Sequence, residues 1–320
     1  MDLSVVIPLY NEAPNVEALH AEVHEALKPL GLDYELILVD DGSQDNTFHL
    51  ASALAEAERR TVVIGLRRNF GQTAAMSAGF DHARGEVIVT LDGDLQNDPR
   101  DIPKLLAKLE EGYDIVAGWR FDRQDAFLSR KLPSMLANGL ISLTTKVKLH
   151  DYGCTLKAFR REVIQGIRLY GEMHRFIPAI ASSMGVRIAE IPVNHRARRA
   201  GTSKYGIGRT TRVILDLIAV KFLLSYSTRP IQMFGLWGLI SGAAGFLLGL
   251  WYTCLKLFMG EPMWGKPGVI LAVLLILVGV QLVSIGLLGE LQIRTYFETQ
   301  QKPIYVVRRL VNREPLHTCE

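Results

Sequence analysis

Cysteine is scarce in this chain: there are three in 320 residues, far apart at Cys154, Cys254 and Cys319. An odd, scattered set with one member inside an apolar run argues against a disulfide framework and against a cysteine-based metal site. Two large classes of nucleotide-binding proteins lack their marks here as well. No G-x-G-x-x-G follows the first strand-like segment and no G-x-x-x-x-G-K-[ST] occurs, which demotes dehydrogenases and P-loop ATPases. The start, MDLSVVIPLY, carries no basic stretch before its apolar run and no small-residue cleavage site, so it reads as a first β-strand and not as a signal peptide. Net charge is only +3, too slight to suggest a nucleic-acid partner.

Charge itself is missing from two long runs, Pro230 to Leu255 and Pro267 to Gly289. At a rise of about 1.5 Å per residue, each is long enough to cross a bilayer core of roughly 30 Å. Core helices of soluble proteins rarely stay uncharged for so long, so two transmembrane helices are expected, over 230–255 and 267–289. Arg209, Arg212, Lys221 and Arg229 precede the first run and Arg294, Lys302, Arg308 and Arg309 follow the second, while the connection holds only Lys256 and Lys266. This bias puts both termini, and the large domain before the spans, on the cytoplasmic side. Residues 207–229 form an amphipathic pattern suited to the membrane interface, with Arg209, Arg212 and Asp216 opposite an apolar face. Residues 126–147 carry an apolar helical stripe that either lies on the membrane or packs on the core. In the first span Gly238, Gly242, Gly245 and Gly249 make a small-residue stripe that serves either a homo-oligomer or packing against the second span.

The first 120 residues alternate short β-branched runs with helical patterns. Strands are expected at Ser4–Leu9, Glu35–Asp40, Val62–Leu66, Glu86–Leu91 and Asp114–Ala117, with helix starts marked by Ala13-Pro14, Asp45 and Asp98-Pro99. Such alternation predicts the α/β class, with a mainly parallel central sheet. Ligands of open parallel sheets bind beyond the carboxyl ends of the strands, and the polar clusters fall there. Tyr10-Asn11-Glu12 follows the first strand, Asp40-Asp41-Gly42-Ser43 the second, Arg67-Arg68-Asn69 the third and Asp92-Gly93-Asp94-Leu95-Gln96 the fourth. An acidic cluster suits an anionic substrate once a divalent cation is added, because Mg²⁺ and Mn²⁺ take oxygen ligands and bridge carboxylates to phosphates. Asp94 and the amide oxygen of Gln96 are the candidate metal ligands, and Asp92 the contact to nucleotide or metal-bound water. Further on, Arg196, Arg198, Arg199 and Lys204 surround Gly201 in a basic loop suited to a diphosphate or a lipid phosphate. His150, His174 and His195 lack metal-ligand spacing and are given no role.

The stretches SVVIPLYNEAPNV, LILVDDGSQDNT and RNFGQTAAMSAGFDHARGEVIVTLDGDLQNDP resemble the signature of glycosyltransferase family 2, which has the GT-A fold. VAGWR, HDYGCTLKAFRR and RRAGTSKYGIGR, followed by two C-terminal spans, are similar to the polyisoprenyl-phosphate glycosyltransferases of that family. The resemblance implies a cytosolic catalytic domain over residues 1–206, interfacial and spanning helices, and a cytosolic tail over 290–320, in a bacterial inner membrane. It implies that Pro8, Tyr10, Glu12 and Asp40 line the nucleoside pocket, with Asp92 near ribose or phosphate. Asp94 and Gln96 then hold the Mg²⁺ or Mn²⁺, Asp151 lies near the reacting phosphate, and Arg120, Arg130, Arg198, Ser203 and Lys204 hold anionic groups.

The reaction implied is inverting transfer of one sugar from a nucleotide sugar to a polyisoprenyl phosphate. Glucose from UDP-glucose to undecaprenyl phosphate is the leading expectation; formamido-arabinose or mannose transfer is the alternative. A processive synthase is disfavoured because no Q-x-x-R-W motif follows Gln292-Ile293-Arg294. A membrane-tethered nucleotide-sugar-binding protein without catalysis would have no reason to keep Asp94, Gln96, Asp151 and the basic loop together. A two-span transporter lacks any intramembrane charge to line an ion path.

Overall fold

The computed structural model describes residues 1–121, 147, 149–167, 169, 173–182, 184–196, 230–260, 262, 265–299 and 303–313. Arg130, Arg198, Ser203 and Lys204 lie outside these residues, as do the interfacial helix expected over 207–229 and all but the last position of the helix expected over 126–147. The chain divides into two compact units: Met1–Val220 together with Pro303–Glu320, and Lys221–Lys302.

The first unit is built on an alternating series: β1 (Leu3–Leu9), α1 (Val16–Leu27), β2 (Tyr34–Asp40), α2 (Thr47–Ala57), β3 (Thr61–Leu66), α3 (Gln72–His82), β4 (Val87–Thr90), α4 (Ile102–Glu110) and β5 (Ile115–Trp119). After these come β6 (Lys157–Arg160), α5 (Arg161–Gln165), α6 (Ile177–Ser182), β7 (Ile188–Pro192) and, beyond the second unit, β8 (Val307–Val311). The eight strands among the described residues join one sheet in the order β7-β5-β6-β4-β1-β2-β3-β8. The middle, β4-β1-β2-β3, is parallel throughout, whereas β6 runs antiparallel to both β4 and β5, and β8 antiparallel to β3. The expected strands of the parallel centre are present to within about a residue or two at each end, and β6 and β8 make the full sheet mixed.

Burial explains why these segments read as near-continuous apolar runs: the sheet is covered on both faces. Leu3, Val5, Ile7 and Leu9 of β1 pack with Val16, Leu19 and Val23 of α1 and Ile102, Leu105 and Leu109 of α4. On the other face Val6, Ile37 and Val39 pack with Ala74, Ala75 and Ala78 of α3, joined by Val163 and Ile164 of α5 and by Ile177 and Ala181 of α6. Strand order reverses where β4 pairs with β1 on the side opposite β2, which opens the crevice at the carboxyl ends of β1 and β4.

Of the apolar segment Ile304–Val307, only Val307 belongs to β8. Ile304 and Tyr305 pack into the core as anchors instead, with Tyr305 donating its hydroxyl to Asp81 Oδ2 (2.8 Å), and Arg67 N–H donates to Val306 O (3.0 Å) to start the ladder.

The second unit is a hairpin of α7 (Pro230–Met259) and α8 (Pro267–Thr299). Within them Phe234–Met259 and Pro267–Gly289 are long and apolar enough to cross a membrane, with mean hydropathies of 1.6 and 2.8 and only 17% and 11% of the residues in the most apolar window of each buried. Core helices of a soluble protein would hide such residues; here Leu236, Trp237, Phe246, Trp251, Ile270 and Val280 face outward. Two glycines of the stripe are used within the chain. A Cβ on Gly238 would stand 2.7 Å from Gly279 O, and one on Gly245 2.7 Å from Ala272 O, so both glycines are needed for the approach of α8. Ser241 adds an interhelical hydrogen bond to Leu275 O (2.8 Å).

Candidate active site

The loops after β1, β2 and β3 are stitched into one rim. Asn11 N–H donates to Ser43 Oγ (2.9 Å), Gln44 N–H to Asn11 Oδ1 (2.8 Å) and Glu12 N–H to Thr47 Oγ1 (2.8 Å). The paired aspartates at the end of β2 then divide their labour. Asp41 accepts the N–H groups of Phe70 and Gly71 (2.7 and 2.9 Å), bracing the turn that begins α3. Asp40 is buried, its Oδ2 receives Ser43 N–H at 3.3 Å, and its Oδ1 has no hydrogen-bond partner among the described residues. Burial pushes its carboxyl above the usual range. An orphaned buried acceptor at a strand's carboxyl end is what a ligand N–H or O–H would satisfy. Pro8, Tyr10 and Glu12 sit half-buried on the same rim, with Glu12 Oε2 accepting from Asn15 Nδ2 (2.7 Å).

Across the crevice, Asp92-Gly93-Asp94 presses against the end of β1. A Cβ on Gly93 would meet Leu9 Cδ2 at 2.6 Å, Pro8 O at 3.3 Å and Glu12 Cγ at 3.6 Å, so the turn joins the nucleoside-pocket residues only because position 93 is bare. Leu95 follows in the left-handed region (φ 59°), folding Gln96 back so that its N–H reaches Asp94 Oδ1 (3.1 Å). Asp92 accepts from Gln72 Nε2 (2.8 Å) at the start of α3. Burial first, and then the charge of Asp94, push the Asp92 carboxyl up to about 6, partly offset by the Thr155 hydroxyl, Arg120 and Lys157.

The third side comes from β5, β6 and the turn before β6. Arg120, next after β5, grips Asp151 with two bonds, Nε to Oδ2 (2.6 Å) and an Nη2 to Oδ1 (2.9 Å). Burial opposes the Arg120 charge, but the bond to Asp151 and its charge outweigh it and raise the guanidinium further. Lys157 of β6 is buried and donates Nζ to the carbonyls of Tyr152 (3.3 Å) and Cys154; burial lowers its pKa. Cys154 is buried, with its thiol pushed up to about 11, chiefly by burial, so it stays protonated near neutrality.

Among the expected site residues, Pro8, Tyr10, Glu12, Asp40, Asp92, Asp94 and Gln96 thus gather at the switch point, and Arg120 with Asp151 stands beside Asp92. One expectation fails: Arg196 does not belong to a basic loop waiting for phosphate. Its Nη1 donates to Glu22 Oε2 (2.6 Å), its other Nη pairs with Asp98 Oδ2 (2.7 Å), and its N–H binds Gln96 O (2.8 Å). Burial alone would raise Asp98, but the bonds from Arg100 and Arg196 prevail and hold its carboxyl well below the usual range. His174 is buried against Thr73 Oγ1 (2.7 Å), consistent with a structural role. Gln72, Thr155, Lys157 and Glu190 were not singled out from the sequence; the first three lie inside quoted motifs, and only tertiary register reveals their contacts.

No group of three or more His, Cys, Asp or Glu side chains that could cage a metal occurs among the described residues. Asp94 and Gln96, the ligands expected from the sequence, share one turn, with Asp92 close enough to feel the Asp94 charge. Few protein oxygens and a surplus of negative charge fit a Mg²⁺- or Mn²⁺-type ion that draws its remaining ligands from phosphate and water.

The acidic Asp-Gly-Asp turn and the buried orphan acceptor thus stand at the carboxyl ends of β4 and β2, on either side of β1, where open sheets with a parallel centre take nucleotide ligands. The glycosyl transferase family 2 domain matches residues 4–168, and the chain belongs to that family as a glycosyltransferase. Over 314 residues it is 46% identical to the dodecaprenyl-phosphate galacturonate synthase of Rhizobium johnstonii, covering 97% of this chain and 93% of the relative. It is 41% identical over 316 residues to the undecaprenyl-phosphate 4-deoxy-4-formamido-L-arabinose transferase of Klebsiella pneumoniae, covering 98% and 94%. Among solved structures, glucosyl-3-phosphoglycerate synthase from Mycobacterium tuberculosis with Mn²⁺ and UDP-glucose superposes with a TM-score of 0.54. That likeness, at 21% identity over 71% of this chain and 81% of the other, shows the GT-A-like fold.

Proposed function

We propose that this protein transfers a single sugar from a nucleoside diphosphate sugar, with uridine as the base, to a polyisoprenyl phosphate at the cytoplasmic face of a bacterial inner membrane. The observation that carries the reading is the meeting of two half-sites. Asp40, Asp92, Asp94 and Gln96 gather at the carboxyl ends of β2 and β4, where a nucleotide diphosphate would lie, and Arg120 with Asp151 stands beside Asp92 as an anion-handling pair. The two apolar helices supply the reason for a lipid acceptor. The relatives named above, similar over nearly the whole chain, act on polyisoprenyl phosphates and carry galacturonate or formamido-arabinose; they favour these sugars over glucose as the donor, and we take galacturonate first.

In this reading Asp40 accepts a polar hydrogen of the nucleoside, and Pro8, Tyr10 and Glu12 complete its pocket. A divalent ion held by Asp94 and Gln96 would neutralise charge on the leaving diphosphate. The acceptor phosphate oxygen attacks the anomeric carbon as the bond from that carbon to the diphosphate oxygen breaks, so configuration inverts and nucleoside diphosphate leaves. A phosphate monoester has a second pKa of about 6 and needs little deprotonation near neutrality. The two-point grip of Arg120 on Asp151 supports an orienting part for this carboxylate over that of a free base. Arg130, Arg198, Ser203 and Lys204 are proposed to supply further phosphate contacts.

Membranes containing the full chain, incubated with undecaprenyl phosphate and labelled UDP-galacturonate, UDP-formamido-arabinose or UDP-glucose, should yield one sugar per lipid phosphate. Transfer to no lipid phosphate from any donor would overturn the proposal.

A further inference from the structure

Asp151 sits in a turn, not in a strand, yet its carboxylate must keep a fixed geometry toward Arg120. Three groups from other elements pin that turn. Arg120 holds the carboxylate itself. Lys157 takes the carbonyls of Tyr152 and Cys154 from within the sheet. The third group is Glu190 of β7, opposite Ala117 of β5 in register and so level with the segment leading to Arg120. Its side chain is only 9% exposed. It accepts His150 N–H at both oxygens (3.0 and 2.9 Å), Asp151 N–H at Oε1 (2.9 Å) and His150 Nδ1–H at Oε2 (2.7 Å). The His150 ring is stacked on Trp119, with centroids 4.3 Å apart and planes 18° apart. A nearly buried carboxylate costs desolvation, and this one spends its whole acceptor capacity on the two residues that enter the Asp151 turn.

We infer that Glu190 is the positioning residue of the acceptor half of the site: it fixes the backbone of His150 and Asp151, so that the Arg120–Asp151 pair is preset to receive the lipid phosphate. The inference rests on the proposed role of Asp151. It requires that Glu190 act through Asp151 and not on the nucleotide, whose Asp40 and Asp94 contacts arise from β2 and β4. Displacing a catalytic group by about 1 Å costs on the order of a hundredfold in rate, which sets the scale for removing the clamp.

The test uses the full chain in mild detergent, with Glu190→Gln and Glu190→Ala, each alone and combined with Asp151→Asn. Hydrogen exchange at the His150 and Asp151 amides should quicken in both Glu190 variants, while melting temperature and calorimetric UDP binding with Mn²⁺ stay near wild type. In transfer to undecaprenyl phosphate, kcat/KM for the lipid should fall about ten- to a hundredfold, with donor KM unchanged and Glu190→Gln losing less than Glu190→Ala. In the Asp151→Asn background the Glu190 substitutions should add little, because the group they position is gone. Unchanged amide exchange, an equal loss of UDP binding, or full additivity with Asp151→Asn would each overturn the inference. Full activity of Asp151→Asn alone would instead remove the role of Asp151 on which it rests.

Discussion

Two adjacent aspartates show how much a single position can hide. Asp40 keeps a free buried oxygen and Asp41 spends both of its oxygens on the turn before α3. Substitution should separate them. Asp40→Asn should weaken UDP binding with little change in melting temperature, whereas Asp41→Asn should lower the melting temperature first; calorimetry and thermal denaturation read the two. Asp94→Ala should abolish the dependence of UDP binding on Mn²⁺, measured by titrating the metal at fixed nucleotide. Gly42 lies in the left-handed region at φ 68°, and a Cβ there would stand 2.4 Å from the Arg68 carbonyl carbon. Gly42→Ala should therefore cost about 3 kcal/mol in chemical denaturation, from strained backbone and overlap together. Acid should act through His20, whose pKa is lowered to about 4 from 6.5 by burial first and then by the charge of His24. The unfolded chain takes up this proton before the folded one does. Its contribution is thus complete above about pH 6.5 and is lost as pH falls toward 4. Melting curves between pH 7.5 and 4.5 should show that decline, flattened in His20→Gln. The sequence brought Asp40, Asp92, Asp94 and Gln96 to view because they lie in polar segments that end β2 or come just after β4. Gln72, Lys157 and Glu190 stayed hidden because their partners are set by sheet register and by contacts across many residues.

At the scale of elements, what was legible was the parallel centre. β1 to β4 are buried on both faces and announce themselves as short apolar runs, and β5 does so nearly as well. β6 reads Lys-Ala-Phe-Arg, charged at both ends, and becomes a strand because Lys157 can bury its ammonium against backbone carbonyls. β7 is partly exposed and ends in proline, as an edge strand permits. β8 depends on tertiary contacts altogether: it covers the open edge of β3, and its far end is locked by Arg313, whose side chain is 5% exposed and pairs with Glu35 (2.7 Å, 3% exposed). Glu35 also accepts from Ser4 Oγ (2.6 Å) and Arg84 N–H (2.7 Å), so losing Arg313 leaves a buried charge inside a network. Arg313→Ala should cost about 3–5 kcal/mol, measured by denaturant unfolding, and Arg313→Lys should recover only part because it cannot also reach the His82 carbonyl in the same fork.

On the scale of the whole molecule, the helical hairpin offers an internal control. Gly238 and Gly242 lie one turn apart, yet a Cβ on the first collides with Gly279 O and Val283, while one on the second meets nothing within 4 Å. Gly238→Ala should lower the melting temperature of the detergent-solubilised protein, and Gly242→Ala should hold or raise it through better helix propensity, worth up to about 1 kcal/mol. The hairpin is also an insertion and not an appendage, since β8, which follows it in the chain, belongs to the α/β unit that precedes it. Synthesis therefore cannot finish the sheet in one pass. The ribosome delivers the seven strands described before the hairpin, then two long apolar helices, and only afterwards the strand that seals β3. Until the second helix has emerged and been accommodated, β3 presents a bare hydrogen-bonding edge, so maturation of the α/β unit waits on the hairpin even though none of the site residues named above lies in it.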